Sequence, residues 1–397
     1  MNDMQKRAAA AGCVAALLAV AVIKAANTQT ENRADERKAP ETDTETASAD
    51  FAGNRKPDLI FWYGDKGYEK FFERAAKEYY EDTGKVVSVR YRDSFDYLND
   101  VYQATMQEQE QPDAYLLGSD ELEEAYLYGL AAENTARDIY ADCVAAKAVE
   151  ASTYREKMYG YPLSYNTCIF AYRNGYFENQ PESVQSIIDY AIDNDPPENV
   201  QYLLEWDVND PFYDFPFVSN SVSFEKKEVA NMAISYDEEM YNADLEYFAQ
   251  ILESFSMDAQ RVSEERVLQD FRDGTTLCAI LDSDAVAQLK GVDCTITGML
   301  PLNETLEAYS AAQTELVLVN DFSEKKTEAA DFAEYLTLTM SEELHALGGH
   351  YSVKLGENAD ATERMLYEAY ENSILVPDSQ DAKEFWVTLK ETISHYF

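Results

Sequence analysis

Residues 59–71 read LIFWYGDKGYEKF, an apolar run that stops at a polar turn and continues as an amphipathic segment. The apolar run predicts a buried β-strand. The segment after the turn predicts a helix, because its Phe, Ala and Tyr residues recur on one face. The GDKG turn, residues 64–67, sets the anion Asp65 beside the cation Lys66 between two glycines. The sequence therefore places a charged pair at the carboxyl end of the first predicted strand.

The same alternation of strand and helix continues along the chain. Helices separate the first three predicted strands, which predicts a βαβαβ unit in a parallel sheet covered on both faces, and hence an α/β fold. The predicted strands are 57–63, 85–91, 113–117, 157–163, 167–172, 275–281 and 315–319. The predicted helices are 67–82, 94–109, 119–127, 241–255, 263–271, 324–340 and 381–396.

Short polar turns follow three of the predicted strands. Besides the GDKG turn, residues 118–120 read GSD and residues 282–284 read DSD. Ligands of open α/β sheets bind beyond the carboxyl ends of the strands, so the three turns together predict a polar cleft. Asp and Ser are also ordinary N-caps of helices, and this structural role is the alternative for each turn taken alone.

The charge balance and the length restrict the class of protein. With 75 acidic against 32 basic residues the formal net charge is −43, which argues against nucleic-acid binding, since phosphates are bound by Lys and Arg. The simplest role of this acidity is solubility.

A chain of 397 residues exceeds what one core usually supports and predicts two domains. The 29 tyrosines fill cores and clefts, and stacking on sugar faces is one use of such rings.

The amino-terminal residues have the pattern of an export signal. Lys6 and Arg7 precede an apolar run at 8–23, which is typical of a signal peptide or a membrane anchor, assigned to residues 1–26. Residues 27–56 are polar and charged and predict a disordered tether. The remaining chain is then expected outside the cytoplasm. It would be attached to the outer face of the membrane or, after cleavage of the signal, secreted or periplasmic.

Sequence motifs of cofactor and nucleophile chemistry are absent. There is no G-x-G-x-x-G, GxxxxGK[ST] or G-x-S-x-G, and neither the cysteines nor the three histidines have the spacing of a metal site. We therefore expect no cofactor and no metal. The four cysteines beyond residue 26 allow three pairings or stay free. Paired carboxylates occur in glycosidases, but among 75 acidic residues such pairs arise by chance, so a binding protein is favoured over an enzyme.

Several longer stretches resemble one family of binding proteins. The segments WYGDKGYEKFFERAAKEYYEDTGKVVSV, QPDAYLLGSDELEEAYLYGLAAE, KMYGYPLSYNTCIFAYRNGYF and EWDVNDPFYDFPF occur in the order in which maltose- and maltodextrin-binding proteins have similar segments. These proteins belong to the extracellular solute-binding proteins of ABC importers. The resemblance covers the chain from about residue 57 to its end. It implies a two-lobe α/β fold of the periplasmic-binding-protein type (type II), with a ligand cleft between the lobes and chain crossovers at the hinge.

The resemblance also implies where each lobe begins and ends. The first lobe would comprise residues 57–165 and 315–350, and the second would comprise residues 169–310 and 355–397. The hinge crossovers would then fall at 165–168, 310–314 and 349–354.

Ten positions receive ligand-binding roles from the resemblance. They are Tyr63, Asp65, Lys66, Asp120, Asn166, Asp210, Phe212, Asp284, Trp386 and Lys390. Asp65 and Lys66 match an acid and a lysine that hydrogen-bond sugar hydroxyls, and Trp386 matches an aromatic platform. The sequence departs from the family at Leu117, which stands in place of a stacking tryptophan, and at Glu121, which stands in place of an arginine.

These features together predict an extracytoplasmic substrate-binding component of an ABC transporter. It would bind a maltodextrin-like carbohydrate by closure of the lobes and deliver it to the membrane subunits of a permease. Three alternatives stay open: a ligand sensor with a membrane partner, a binder of a non-sugar solute such as a polyamine, and a secreted carbohydrate-active enzyme.

Overall fold

The computed structural model describes residues 55–107, 110–226, 232–376 and 379–397. The predicted signal or anchor at 1–26 and nearly all of the predicted tether at 27–56 lie outside these residues. Within the described ranges, no helix combines the length and the apolar character that crossing a membrane requires.

Strands and helices alternate along the described chain. The strands are β1 Leu59–Tyr63, β2 Val87–Tyr91, β3 Ala114–Gly118, β4 Thr153–Tyr154, β5 Lys157–Met158, β6 Gly160–Arg173, β7 Tyr202–Glu205, β8 Val222–Lys226, β9 Met232–Tyr236, β10 Thr276–Asp282, β11 Cys294–Gly298, β12 Ala311–Val319, β13 Tyr351–Ser352 and β14 Ile374–Leu375. The helices are α1 Glu69–Thr83, α2 Tyr97–Met106, α3 Leu122–Leu127, α4 Arg137–Cys143, α5 Ala146–Ala151, α6 Val184–Asp193, α7 Pro211–Asp214, α8 Glu238–Ser254, α9 Glu264–Asp273, α10 Lys326–Glu334, α11 Leu344–Gly348, α12 Ala361–Glu371 and α13 Gln380–Ser394.

The first three strands form the parallel unit that the sequence predicts. β1 pairs in parallel with both β2 and β3. α1 connects β1 to β2 and buries its apolar face against them, since the ring of Phe72 packs against the rings of Phe61 and Tyr63. α1 ends at Gly84, whose φ of 70° is a left-handed conformation that glycine adopts without strain.

β6 belongs to two regions of the sheet. Its first half pairs with β12, and β12 pairs with β3, so the first sheet region has the order β2-β1-β3-β12-β6. Its second half, from Cys168 onward, pairs with β10 and β11, and β7 follows β10 in this second sheet region. The chain therefore passes from one sheet region to the other within a single strand.

Some boundaries differ from those that the sequence predicts. The prediction of two separate strands at 157–163 and 167–172 is wrong, because Gly160–Arg173 is continuous. Polar residues between the two predicted strands are satisfied within the fold: the Ser164 hydroxyl lies 2.6 Å from that of Tyr68. The predicted helix 119–127 begins with a 3-10 turn at Ser119–Glu121, and the predicted helix 324–340 includes a π-helical segment at Tyr335–Thr339.

Buried aromatic residues dominate the core of both sheet regions. In the second region the fully buried indole of Trp206 donates its N–H to Asp214 Oδ1 at 2.8 Å. Burial raises the pKa of the Asp214 carboxyl well above its ordinary value, while the hydrogen bond from Trp206 acts in the opposite direction. The cysteines that the structure describes are free: Cys143, Cys168, Cys278 and Cys294.

Candidate functional site

A cleft of about 470 Å³ lies between the two sheet regions. Its walls come from the ends of β3 and β10, from β6 and β12, and from helices α7, α9 and α13. The described residues that line the cleft are Asp120, Asn166, Asp210, Pro211, Phe212, Tyr213, Glu264, Asp282, Gln313, Val376, Lys383 and Trp386. Five of the ten predicted site residues are therefore brought together in one cavity.

Asp120 stands at the carboxyl end of β3 and is held by the neighbouring strand. Gln313 of β12 donates from Nε2 to Asp120 Oδ1 at 2.6 Å. Gly118 makes room for this pair, because a Cβ at that position would lie 2.5 Å from Asp120 Oδ1 and 2.7 Å from Gln313 Nε2. A Cβ at position 118 would therefore displace the Asp120–Gln313 pair, whereas the extended backbone angles of Gly118 are open to any residue.

Asn166 links β6 to the end of β10. Its Nδ2 donates to Asp282 Oδ2 at 3.1 Å, and its Oδ1 accepts from the backbone N–H of Ser283 at 3.1 Å and from the Ser283 hydroxyl at 2.9 Å. Asp282 in turn caps the following 3-10 turn by accepting from the Ala285 N–H at 2.8 Å. The DSD turn therefore plays the capping role that was the structural alternative, while its first carboxylate also lines the cleft.

Aromatic side chains form the wall of the cleft on the second sheet region. Asp210 caps α7 by accepting from the Phe212 N–H at 2.9 Å, which fixes the start of the segment that carries Phe212. Trp386 on α13 packs against Phe215, with the ring centroids 5.2 Å apart. Among the described residues, no hydrogen-bond partner meets the buried Trp386 Nε1. Such a ring with a free N–H suits a ligand that has an apolar face and polar edges.

The GDKG turn does not line the cleft cavity. Asp65 Oδ1 accepts from the Gly67 N–H at 2.7 Å and so caps a short 3-10 turn. Lys66 is exposed, with its Nζ 6.0 Å from the centroid of the Tyr91 ring. Tyr63 is 0% exposed and packs in the core against Phe72. Ligand contacts by Tyr63, Asp65 and Lys66 stay predictions.

Asp284 meets a buried histidine beside the GDKG turn. His350 Nδ1 lies 2.9 Å from Asp284 Oδ2, and its ring stacks on that of Tyr68 with centroids 3.8 Å apart. A Cβ on Gly67 would lie 2.8 Å from His350 Nε2, so this glycine is required for the close approach of the ring. Burial lowers the pKa of His350, but the hydrogen bond and charge of Asp284 outweigh burial, and the pKa is raised.

Glu315 on β12 is a carboxylate near the site that sequence reasoning missed; it stands two residues from the cleft-lining Gln313 but is not itself among the described residues that line the cleft. Burial, followed by the charges of Asp120, Asp65 and Asp284, raises the pKa of Glu315 to about 8. Its signal in the sequence is a carboxylate that opens the apolar run ELVLV, which indicates a strand and no binding role. Its electrostatic neighbours are predicted site residues, so the fold places Glu315 where the strand ends converge.

Two further carboxylates, Glu264 in the cleft and Glu121 beside it, have raised pKa values. Burial and the charge of Asp282 raise the pKa of Glu264 to about 7. Burial and Asp120 raise the pKa of Glu121 to about 7. Lys383 also lines the cleft, but its Nζ lies 2.9 Å from Glu124 Oε2, an ion pair that joins α13 to α3 and lowers the pKa of Glu124.

Lys390 lies one helical turn beyond Trp386 on α13 and is exposed. It is not among the described residues that line the cleft. No group of three or more His, Cys, Asp or Glu residues in the described ranges is arranged to hold a metal ion.

Comparison with known protein families assigns the chain to one of them. The family described as bacterial extracellular solute-binding protein matches residues 74–351. Because this match spans well over half of the sequence, the chain belongs to the bacterial extracellular solute-binding proteins. The membership expected from the sequence is confirmed. No curated protein matches the chain by sequence.

Solved structures share the fold. A cyclo/maltodextrin-binding protein complexed with maltotetraose has a TM-score of 0.72 at 16% identity, covering 87% of this chain and 93% of the other. A Thermus thermophilus maltotriose-binding protein bound with maltotriose gives 0.70 at 17%, covering 85% and 93%. An extracellular solute-binding protein from Staphylococcus aureus in complex with maltose gives 0.70 at 16%, covering 86% and 93%. The predicted two-lobe α/β fold is confirmed, and the family and these neighbours are binding proteins.

Proposed function

We propose that this protein is the extracytoplasmic substrate-binding component of an ABC importer, and that it binds a maltodextrin-like oligosaccharide in the cleft and delivers it to a membrane permease. One observation carries the proposal: the cleft sets the aromatic rings of Phe212 and Trp386 together with the polar groups of Asp120, Asn166 and Asp210. A sugar ring has an apolar face that stacks on an aromatic ring and hydroxyls that both donate and accept hydrogen bonds.

The mechanism follows from walls that belong to different sheet regions. Asp120 belongs to the first sheet region, whereas Phe212 and Trp386 lie on helices beside the second sheet region. A ligand that contacts both walls binds the closed arrangement more tightly and therefore shifts the population toward it. The lobes would be 57–165 with 315–350 and 169–310 with 355–397, hinged at 165–168, 310–314 and 349–354. The permease would recognise the closed form.

The location outside the cytoplasm agrees with the family. The membrane attachment would come from residues 1–26, with 27–56 as the tether. A ligand sensor would use the same closure. Neighbouring genes distinguish the two roles, since permease genes indicate an importer and a histidine kinase gene indicates a sensor.

Titration calorimetry and thermal unfolding of the full chain with maltotriose, with free amino acids as controls, test the proposed ligand. Maltotriose at a hundredfold its Kd should stabilise the protein by about 2.7 kcal/mol. Trp386→Ala should weaken binding about tenfold, because the stacked ring contributes about 1 kcal/mol or more. Val387→Ala, at an exposed neighbour on the same helix, is the matched control and should bind as the wild type does. No response to any sugar, or full affinity in Trp386→Ala, would contradict the proposal.

A further inference from the structure

A histidine–carboxylate pair connects the two sheet regions. His350 directly precedes β13, which pairs with β6 in the first sheet region. Asp284 lies in the 3-10 turn that follows β10 of the second sheet region. His350 Nδ1 lies 2.9 Å from Asp284 Oδ2. The pair therefore joins two side chains whose backbones belong to different sides of the cleft.

Each member of the pair is held by its own side. The ring of His350 stacks on that of Tyr68, with the centroids 3.8 Å apart and an interplanar angle of 3°. Tyr68 is buried, and its hydroxyl lies 2.6 Å from that of Ser164, which fixes this ring in the first sheet region. The 3-10 turn that carries Asp284 is capped by Asp282 at the end of β10. The distance between His350 and Asp284 is therefore set by how the two sides sit against each other.

The contact depends on one hydrogen bond and its charge. His350 Nε2 and Asp284 Oδ1 are buried, and within the described ranges neither atom has a hydrogen-bond partner. A hydrogen bond is lost beyond about 3.5 Å, so a relative displacement of the two sides by about 1 Å at this point would break it. The segment 349–354 is one of the proposed hinge crossovers, and a hinge motion would therefore act on this contact.

Titratable groups surround the pair. They are Asp65, Tyr68, Asp282, Glu315, His345 and Tyr351. Lys66 of the GDKG turn lies over the ring of Tyr91 instead. Burial lowers the pKa of His350, but the hydrogen bond and charge of Asp284, with the charges of nearby carboxylates, outweigh burial and raise it above its ordinary value of 6.5. When the two sides separate, His350 loses this partner and its pKa falls. Protonation of His350 therefore favours the arrangement in which both walls border one cavity.

We propose that His350 and Asp284 form a proton-dependent clasp, which holds the two sides of the cleft together while the histidine is protonated and thereby strengthens solute binding. The inference rests on the proposed function, because it takes the closed arrangement as the one that binds the solute. His350 is a positioning residue, since it is not among the described residues that line the cleft and acts through the separation of the walls.

The direction of the pH dependence follows from the raised pKa. Below pH 6.5 the contribution of the clasp is fully present, because the histidine is then protonated even without its partner. As the pH rises through the raised pKa of His350, the proton leaves and the contribution is lost. Solute binding should therefore weaken toward alkaline pH.

Titration calorimetry of the full chain with maltotriose, at about pH 5.5 and about pH 9, tests the clasp. His350→Asn keeps a donor near the position of Nδ1 and removes the titrating charge. The wild type should bind about fivefold tighter than His350→Asn at the lower pH, which is the low end of coupling between sites in proteins. At the higher pH the two proteins should bind equally. Glu264 and Glu315 titrate in the same interval, with pKa values of about 7 and about 8, but they are present in both proteins.

Two further variants sharpen the comparison. His395→Asn changes an exposed histidine at the end of α13 and should bind as the wild type does at both pH values. Asp284→Asn keeps the ring of His350 and removes the charge of its partner, so it should lose the same pH-dependent part of the affinity. Thermal unfolding shows whether each variant is folded, and Asp284→Asn tests the clasp even where His350→Asn does not fold.

Energy transfer between dyes attached at Phe95 and Ile192, exposed positions on the two sides, tests the clasp without any ligand. The mean distance should change between the two pH values in the wild type and stay constant in His350→Asn. A distance that does not depend on pH in the wild type would overturn the inference. An affinity ratio of wild type to His350→Asn that is the same at both pH values would also overturn it, while the maltotriose binding itself would leave the proposed function intact. Absence of maltotriose binding at both pH values would contradict the proposed function, and the energy transfer then decides whether the clasp exists.

Discussion

Glu315→Gln should stabilise the ligand-free protein at alkaline pH. The substitution keeps the size of the side chain and removes the carboxyl whose pKa burial and the neighbouring carboxylates raise from 4.5 to about 8. The folded protein thus holds this proton more tightly than the unfolded chain does. The stabilisation from the protonated carboxyl is fully present below pH 4.5 and is lost as the pH rises through about 8.

The size of the effect follows from the same interval. Each unit of difference between the pKa values of the unfolded and folded states corresponds to about 1.36 kcal/mol. The rise from 4.5 to about 8 therefore corresponds to at most about 5 kcal/mol. Part of the Glu315 side chain reaches water, which reduces the cost of its charge. We therefore expect Glu315→Gln to be about 2–3 kcal/mol more stable than the wild type at about pH 9, and nearly equal to it at about pH 4.5.

Urea unfolding followed by circular dichroism at several pH values across this interval measures the difference between the proteins. The slope of free energy against urea should be the same for both, since the surface exposed on unfolding does not change. Glu246→Gln, at an exposed acid, should show a small difference that does not vary with pH. A constant difference for Glu315→Gln across the pH range would refute the reasoning, as would a loss of stability at alkaline pH.

Three further predictions concern the walls and the core. Gly118→Ala should weaken ligand binding about tenfold, because the added Cβ displaces Asp120 from Gln313. Gly298→Ala is the control and should bind normally, since its added Cβ would lie 3.5 Å from Ala369 Cβ. Equal titration curves for the two variants would contradict this. Trp206→Phe should destabilise the fold by about 1–3 kcal/mol, because it leaves the buried Asp214 without its donor; an unchanged urea midpoint would show that the bond contributes nothing. The double change Asp65→Ala and Lys66→Ala should abolish binding while the unfolding temperature stays near that of the wild type; retained affinity would remove the GDKG turn from the site.

The sequence predicted the architecture because hydrophobic period and turn residues are local signals. The aromatic face of α1 and the glycine at its end lie within a few residues of one another, and the structure contains both as expected. The continuity of β6 was not predictable in this way. Ser164 and Asn166 interrupt the apolar pattern, and only their partners Tyr68, Asp282 and Ser283, remote along the chain, allow the strand to continue.

The candidate site was predictable where the chain follows the rule for parallel strands. Asp120 follows β3 and lies in the cleft as that rule expects. Gln313 and Glu315 escaped prediction because β12 runs antiparallel to β3, so the amino-terminal half of β12 reaches the edge at which β3 ends. The direction of a strand depends on the strands it pairs with, and no local pattern in its own residues predicts it. The same holds for Lys383, which Glu124 engages from a helix far away in the sequence.

The total acidity of the chain and the acidity of the cleft have different consequences. A net charge of −43 is spread over a surface where salt screens interactions beyond about 8–10 Å, so it says little about any one ligand. In and beside the cleft, burial is the largest cause of the raised pKa values of Glu121, Glu264 and Glu315, and repulsion from neighbouring carboxylates adds to it. Hydroxyl groups alone leave that repulsion in place, whereas a positive charge removes it.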